Sequence, residues 1–162
     1  MTTLYIVRHA WAGERDHQKY PDDRLRPLTT EGRDRMRAIV KKLAKRGFAP
    51  SRLITSPLVR CRQTADIIAE VIGGKVPIIE REELAPGSDL AGLLASRDAQ
   101  QPKSAWVGHE PDLGEITARL LGDGSSGIAF SNGAVAGIEF EDHIAQAAGE
   151  LQWLVTAKTL GV

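Results

Sequence analysis

The 162-residue chain has one cysteine, Cys61, so no disulfide can close within it and no zinc motif can be assembled from cysteines. That fits a reducing compartment. An excess of charge is missing too: 21 Lys plus Arg balance 21 Asp plus Glu. With zero formal net charge there is no global basic field for nucleic acid or an anionic membrane, so any anion site must be local. No run approaches the roughly eighteen apolar residues of a membrane span, and MTTLYIVRHA lacks the basic start and apolar length of a signal peptide. A cytoplasmic location is expected. Low-complexity segments and internal repeats are absent. The glycine-rich stretch 122–127 has neither the lysine nor the strand-before, helix-after context of a nucleotide-binding loop, and reads as a turn.

What is present is an ordinary folded composition, 42% hydrophobic and 26% charged, over a length that suits one domain spanning residues 1–162. Short β-branched or apolar runs alternate with stretches of helical period. This predicts an α/β fold with a mostly parallel central sheet flanked by helices. Strands are expected at 4–7, 52–55, 76–79 and 104–107, with 135–140 and 151–156 forming an antiparallel finish. Residues 10–28, polar and containing Gly13, Pro21 and Pro27, read as a long loop of the kind that covers sites. Thr29 or Thr30 can cap a helix whose apolar face is Met36, Ile39, Val40 and Leu43, stopping at Gly47. Its seven basic residues between Arg33 and Arg46 read as a solvated face rather than a docking surface. Ser56 as N-cap and Pro57 at the first position open a second helix, with Cys61, Thr64, Ala65, Ile68 and Ile72 on its buried stripe. Short helices are expected at 90–94 and 111–121.

In open α/β sheets ligands bind beyond the carboxyl ends of the strands, so the residues just after each strand are the informative ones. Arg8 and His9 end the first strand, Arg60 lies in the first helical turn after the second, and His109 follows the fourth. Guanidinium forks match phosphate oxygens, a helix start adds partial positive charge, and an imidazole can attack phosphorus. An anionic phosphoryl substrate follows. Arg60 at a helix start opposes the dipole unless an anion binds between them. Cys61 between two arginines invites a thiolate phosphatase, but that chemistry needs an arginine six residues on, where Ile67 stands, and Cys61 falls on the apolar stripe. His17 and His143 read as solvent-exposed. No histidine pair has ligand spacing, so neither metal nor cofactor is required.

Four segments in order, Arg8-His9, Leu28-Thr29-Thr30-Glu31-Gly32, Ser56-Pro57-Leu58-Val59-Arg60-Cys61-Arg62-Gln63-Thr64 and Gly108-His109-Glu110-Pro111, resemble the histidine phosphatase superfamily with its phosphoglycerate mutase-like fold. Their wording and the short chain are most similar to bacterial SixA-type phosphohistidine phosphatases. The resemblance runs from residue 4 to about 121. It implies that His9 is the phosphorylated nucleophile, that Arg8, Arg60 and His109 hold the transferred group, and that Arg26 helps bind phosphate or fix the loop. Arg62 points elsewhere on its helix and is not carried over.

Two departures stand out. The common triplet is Arg-His-Gly, whereas Ala10 follows His9 here, and alanine would be strained at positive φ. No Asp or Glu matches the acid of larger members; Glu83 is the nearest candidate, with Asp112 the other. The implied activity is a phosphatase acting on phosphohistidine in a phosphorylated protein through a covalent phosphohistidine intermediate. The rivals are a phosphatase or mutase of small phosphate esters, and a non-catalytic module that binds phosphorylated partners.

Overall fold

The computed structural model describes residues 1–162. One six-stranded sheet is built from β1 (Thr2–Arg8), β2 (Arg52–Thr55), β3 (Ile78–Glu80), β4 (Ser104–Gly108), β5 (Val135–Phe140) and β6 (Glu150–Val155), in the order β3-β2-β4-β1-β5-β6. The first four strands are mutually parallel, and β5 and β6 add antiparallel on the other side of β1. The α/β architecture expected from the alternating runs is therefore present, with its antiparallel finish.

Alternation along the strands divides the core between the two faces of the sheet. Tyr5 and Val7 of β1, with Leu53, Ala105 and Val107, pack under α1 (Thr30–Ala44) and α2 (Val59–Ile72). Leu4 and Ile6, with Ile54 and Trp106, pack under α3 (Leu90–Ala95) and α4 (Asp112–Leu121). Trp106 is wholly buried, and its indole N–H donates to the Ala99 carbonyl at 3.2 Å, so the large ring leaves no orphaned donor. A last short helix, α5 (Ala157–Leu160), packs near α1, where Lys42 donates to the Leu160 carbonyl.

The α1 stripe of Met36, Ile39, Val40 and Leu43 is buried as its period predicts. Thr29 is the cap, accepting from the Gly32 N–H at 2.9 Å. Gly32 has a second role: a Cβ there would overlap the carbonyl oxygen of Trp11, which accepts from Thr29 N–H at 3.0 Å. The bare glycine thus lets the loop after β1 dock on the start of α1. Arg35 stacks 3.7 Å above the Trp11 ring and holds the same junction. Arg37 pairs with Asp34 and Glu70, while Lys41, Lys45 and Arg46 are exposed, consistent with a solvated face.

Several boundaries differ from expectation. Ser56 and Pro57 do not cap and open α2. The helix starts at Val59 with Leu58 at the cap position, and the Ser56 hydroxyl instead accepts from Leu58 N–H at 3.3 Å. Ser56 N–H is already committed to Val107 O at 2.9 Å, which prolongs the sheet ladder one residue and delays the helix. The third strand is Ile78–Glu80 rather than 76–79, because its register against β2 runs from Leu53↔Ile78 to Thr55↔Glu80. Ile72, the last residue of α2, is only half-buried. The long loop contains a 3-10 turn, Asp23–Leu25, and an isolated bridge between Ala12 and Leu28 that closes its base.

Candidate active site

Register places the reactive residues side by side. Parallel pairing of β1 with β4 ends at Arg8↔Gly108, and the next ladder bond is His9 N–H to Gly108 O at 2.9 Å. His9 and His109 therefore leave neighbouring strands at the same level. Arg60 arrives from β2, the other neighbour of β4, one residue into α2. The three meet in an open cleft of about 610 Å³, which Arg8 and Arg26 also line. All five site residues expected from the sequence are thus in one place. Arg62 is not: it pairs with Asp66 and Glu80 on the outer surface.

His9 is 7% exposed, and its Nδ1 lies 2.6 Å from the Ala10 carbonyl oxygen. A carbonyl only accepts, so the proton belongs on Nδ1 and the lone pair on Nε2. Burial pushes the imidazole pKa down to about 4, with the charges of Arg60 and Arg8 and the His109 ring acting the same way against the Ala10 bond. At neutral pH the ring is uncharged. Its backbone is fixed by Gly133 N–H on the His9 carbonyl at 3.1 Å, with the Asn132 amide at 3.5 Å. Ala10 is fully buried and its N–H donates to Thr64 Oγ1 at 3.0 Å. Lys103 and Ala147 are the non-glycine residues at positive φ, so the strain considered for Ala10 does not arise.

Arg8 donates from Nη1 to the Phe130 carbonyl at 2.7 Å. Burial draws its pKa down and Glu110 opposes that. Glu110 in turn accepts from Gly114 N–H at 2.7 Å and Phe130 N–H at 3.3 Å, tying the start of α4 to the strap that supports Arg8. Arg60, 5% exposed, donates to Asp23 twice: to the backbone oxygen at 2.9 Å and to Oδ2 at 3.2 Å. Burial, then Arg26, lowers its pKa, while Asp23 supports the charge. Arg26 donates from Nε to Asp23 Oδ1 at 2.9 Å and from Nη1 to the Gly13 carbonyl.

His109 donates from Nε2 to the Leu84 carbonyl at 3.1 Å, which leaves Nδ1 facing Asp112 Oδ2 at 3.6 Å. Burial lowers the His109 pKa, and the Asp112 charge opposes it. Asp112 lines the cleft and accepts on Oδ2 from Gly87 N–H and the Ser88 hydroxyl, both at 3.0 Å. Glu83, the first acid candidate from the sequence, is not among the lining residues. It accepts from Arg81 at 2.9 Å, and hydrogen bonds to its own backbone and to Arg81 hold its pKa below the usual value, the opposite of a proton donor. Cys61 is wholly buried and burial pushes its thiol up to about 12, which removes it as a nucleophile. His17 and His143 are exposed, as expected.

Asp23, Asn132, Glu110 and Arg15 also line the cleft and were not singled out from the sequence. Glu110 stood within the Gly-His-Glu-Pro segment, and Asp23 three residues before Arg26. Arg15 and Asn132 lie in irregular segments with no periodic signal.

No helix is long and apolar enough to cross a membrane. Among known proteins, the phosphohistidine phosphatase SixA of Escherichia coli is 25% identical over 143 residues, 86% of each chain. An uncharacterized protein of Picosynechococcus is 40% identical over 116 residues, covering 69% of this chain and 68% of its own. In three dimensions the chain superposes on the protein histidine phosphatase SixA complexed with tungstate with a TM-score of 0.82 at 25% identity, covering 98% of this chain and 99% of the other. The family model for the histidine phosphatase superfamily, branch 1, matches residues 4–156, and with strands, cleft and motif residues in that arrangement the chain belongs to this superfamily of phosphatases and mutases.

Proposed function

We propose that the chain is a phosphohistidine phosphatase that removes phosphoryl groups from phosphorylated proteins through a phosphorylated His9. The observation that carries this reading is the neutral His9 ring, its Nδ1 proton held by Ala10 and its Nε2 lone pair left for attack, in a cleft shared with Arg8, Arg60 and His109. Nε2 attacks phosphorus in line, an Nε2–P bond forms, and the bond to the leaving nitrogen breaks with its electron pair. Arg8 and Arg60 stabilise the charge on the equatorial oxygens. An incoming dianion favours protonated His109, which then donates from Nδ1 beside Asp112. Water attacks phosphorus in the second step, inorganic phosphate leaves, and the lone pair returns to Nε2.

The preference for a phosphorus–nitrogen bond rests on the leaving group. Imidazole departs as a base whose conjugate acid has a pKa of ~6.5, whereas an alkoxide corresponds to a conjugate acid comparable to water at about 15.7. The alkoxide needs a positioned acid, a contribution on the order of 10² to 10⁴ in rate. The carboxylates here are arranged as acceptors: Asp23 under arginines, Glu110 under backbone N–H groups, Asp112 under Gly87 and Ser88. Turnover of phosphohistidine and phosphoserine peptides of one sequence tests the reading. Phosphohistidine should be hydrolysed at least a hundredfold more efficiently, and equal efficiency would overturn the assignment. Loss of phosphoserine turnover alone in Asp112→Asn would instead identify an acid and favour the phosphate-ester reading.

A further inference from the structure

Asp23 sits among the cations of the cleft. Its carboxylate accepts from Arg26 Nε at 2.9 Å and Arg60 Nη2 at 3.2 Å, and Arg15 Nε lies 3.9 Å away. The Arg26 side chain is 12% exposed and that of Arg60 6%, so these two pairs are held inside the cleft, whereas Arg15 is 73% exposed and only near. The Arg26 hydrogen bond, with the charges of Arg60, Arg26 and Arg15, holds Asp23 below the usual carboxylate range, and it is charged at neutral pH.

Both arginines have a second anchor that does not depend on this carboxylate. Arg60 donates to the Asp23 backbone oxygen, and Arg26 to the Gly13 carbonyl. Orientation of the two guanidiniums is therefore supplied in part by the backbone. What the Asp23 side chain adds is a negative charge among the cations that line the cleft.

We infer that Asp23 is a specificity-determining residue: it occupies Arg26 so that the cleft accepts a phosphoryl group carrying no further anion and disfavours small phosphate esters that also bear a carboxylate. The inference rests on the proposed phosphoryl site and sharpens its substrate class. A phosphorylated side chain within a protein presents its phosphoryl group as the sole anion at that point. A phosphorylated carboxylic acid presents two, and the second meets an arginine already paired or the Asp23 charge itself. Neutralising Asp23 releases Arg26 for a charge-assisted bond to that carboxylate, worth about tenfold or more in affinity.

The experiment measures inhibition constants of inorganic phosphate, glycerol 3-phosphate and 3-phosphoglycerate against dephosphorylation of a phosphohistidine peptide, for the wild type, Asp23→Asn and Asp23→Asn/Arg26→Gln. Direct binding by calorimetry supplies the same constants for any variant that turns over slowly. The two organic probes share a three-carbon ester and differ in the carboxylate. In the wild type 3-phosphoglycerate should bind no tighter than glycerol 3-phosphate. Asp23→Asn should shift that ratio about tenfold toward 3-phosphoglycerate, and Arg26→Gln should cancel the shift. A ratio unchanged by Asp23→Asn, with inorganic phosphate still bound, would overturn the inference and leave the phosphoryl site standing. Failure of the wild type to bind inorganic phosphate would overturn the site and the inference together.

Discussion

Acidification should destabilise this protein through His9 well before its carboxylates titrate. The folded chain holds the ring at about 4 instead of the ordinary 6.5, chiefly by burial. A depressed histidine pKa means that the unfolded chain binds the proton first, so stability is intact above pH 6.5, falls as pH drops through it, and stops falling near pH 4. The cost from His9 works out to about 2 kcal/mol at pH 5 and about 3 kcal/mol below pH 4. His109 adds a loss of the same sign. Asp23 and Glu83, whose pKa values are lowered, begin to lose their stabilisation only below the unfolded carboxylate range near pH 4. The window from pH 7 to 5 therefore isolates the histidines. His9→Asn replaces the ring with a group that does not titrate and keeps a nitrogen donor near the Ala10 carbonyl. Urea unfolding at pH 7 and pH 5, with equal slopes, should show the wild type losing about 2 kcal/mol more than His9→Asn. Equal losses in the two proteins would mean that His9 titrates in the fold as it does in the unfolded chain, and burial would not be what keeps the nucleophile uncharged.

Arg60→Ala should remove about 2.7 to 4 kcal/mol of transition-state stabilisation, a 10²- to 10³-fold drop in kcat, as for other preorganised donors. A loss below tenfold in steady-state assays would place Arg60 outside the phosphoryl site. Gly32→Ala should destabilise the junction between the loop after β1 and α1 by about 1 to 3 kcal/mol, since the new Cβ overlaps the Trp11 carbonyl oxygen. An unchanged denaturation midpoint would show that the loop does not depend on this close approach.

The parallel strands and the two main helices were legible because one physical pattern marks each. β-Branched runs alternate across a sheet buried on both faces, and α1 repeats Met36, Ile39, Val40 and Leu43 at helical period. The reactive residues were legible because Arg8 ends a strand and His9 and His109 directly follow strands whose register aligns their ends. The start of α2 was not, because Ser56 and Pro57 carry helix-start chemistry while tertiary pairing of Ser56 with Val107 keeps the chain extended. Glu83 is a candidate acid on the sequence alone, yet it pairs with Arg81 and does not line the cleft. Asp23 and Asn132 act through contacts with Arg26, Arg60 and the His9 carbonyl across 3 to 123 residues, and no local period reports such contacts.

Covalent capture on His9 tests the central claim most directly. The protein is mixed with a phosphohistidine peptide labelled with radioactive phosphate, quenched in base within milliseconds to preserve a phosphorus–nitrogen bond, and digested for mass spectrometry. The account predicts label on the peptide containing His9 that forms and decays at rates matching turnover, and none in His9→Asn. Wild-type turnover without label on His9, or label and turnover persisting in folded His9→Asn, would contradict it.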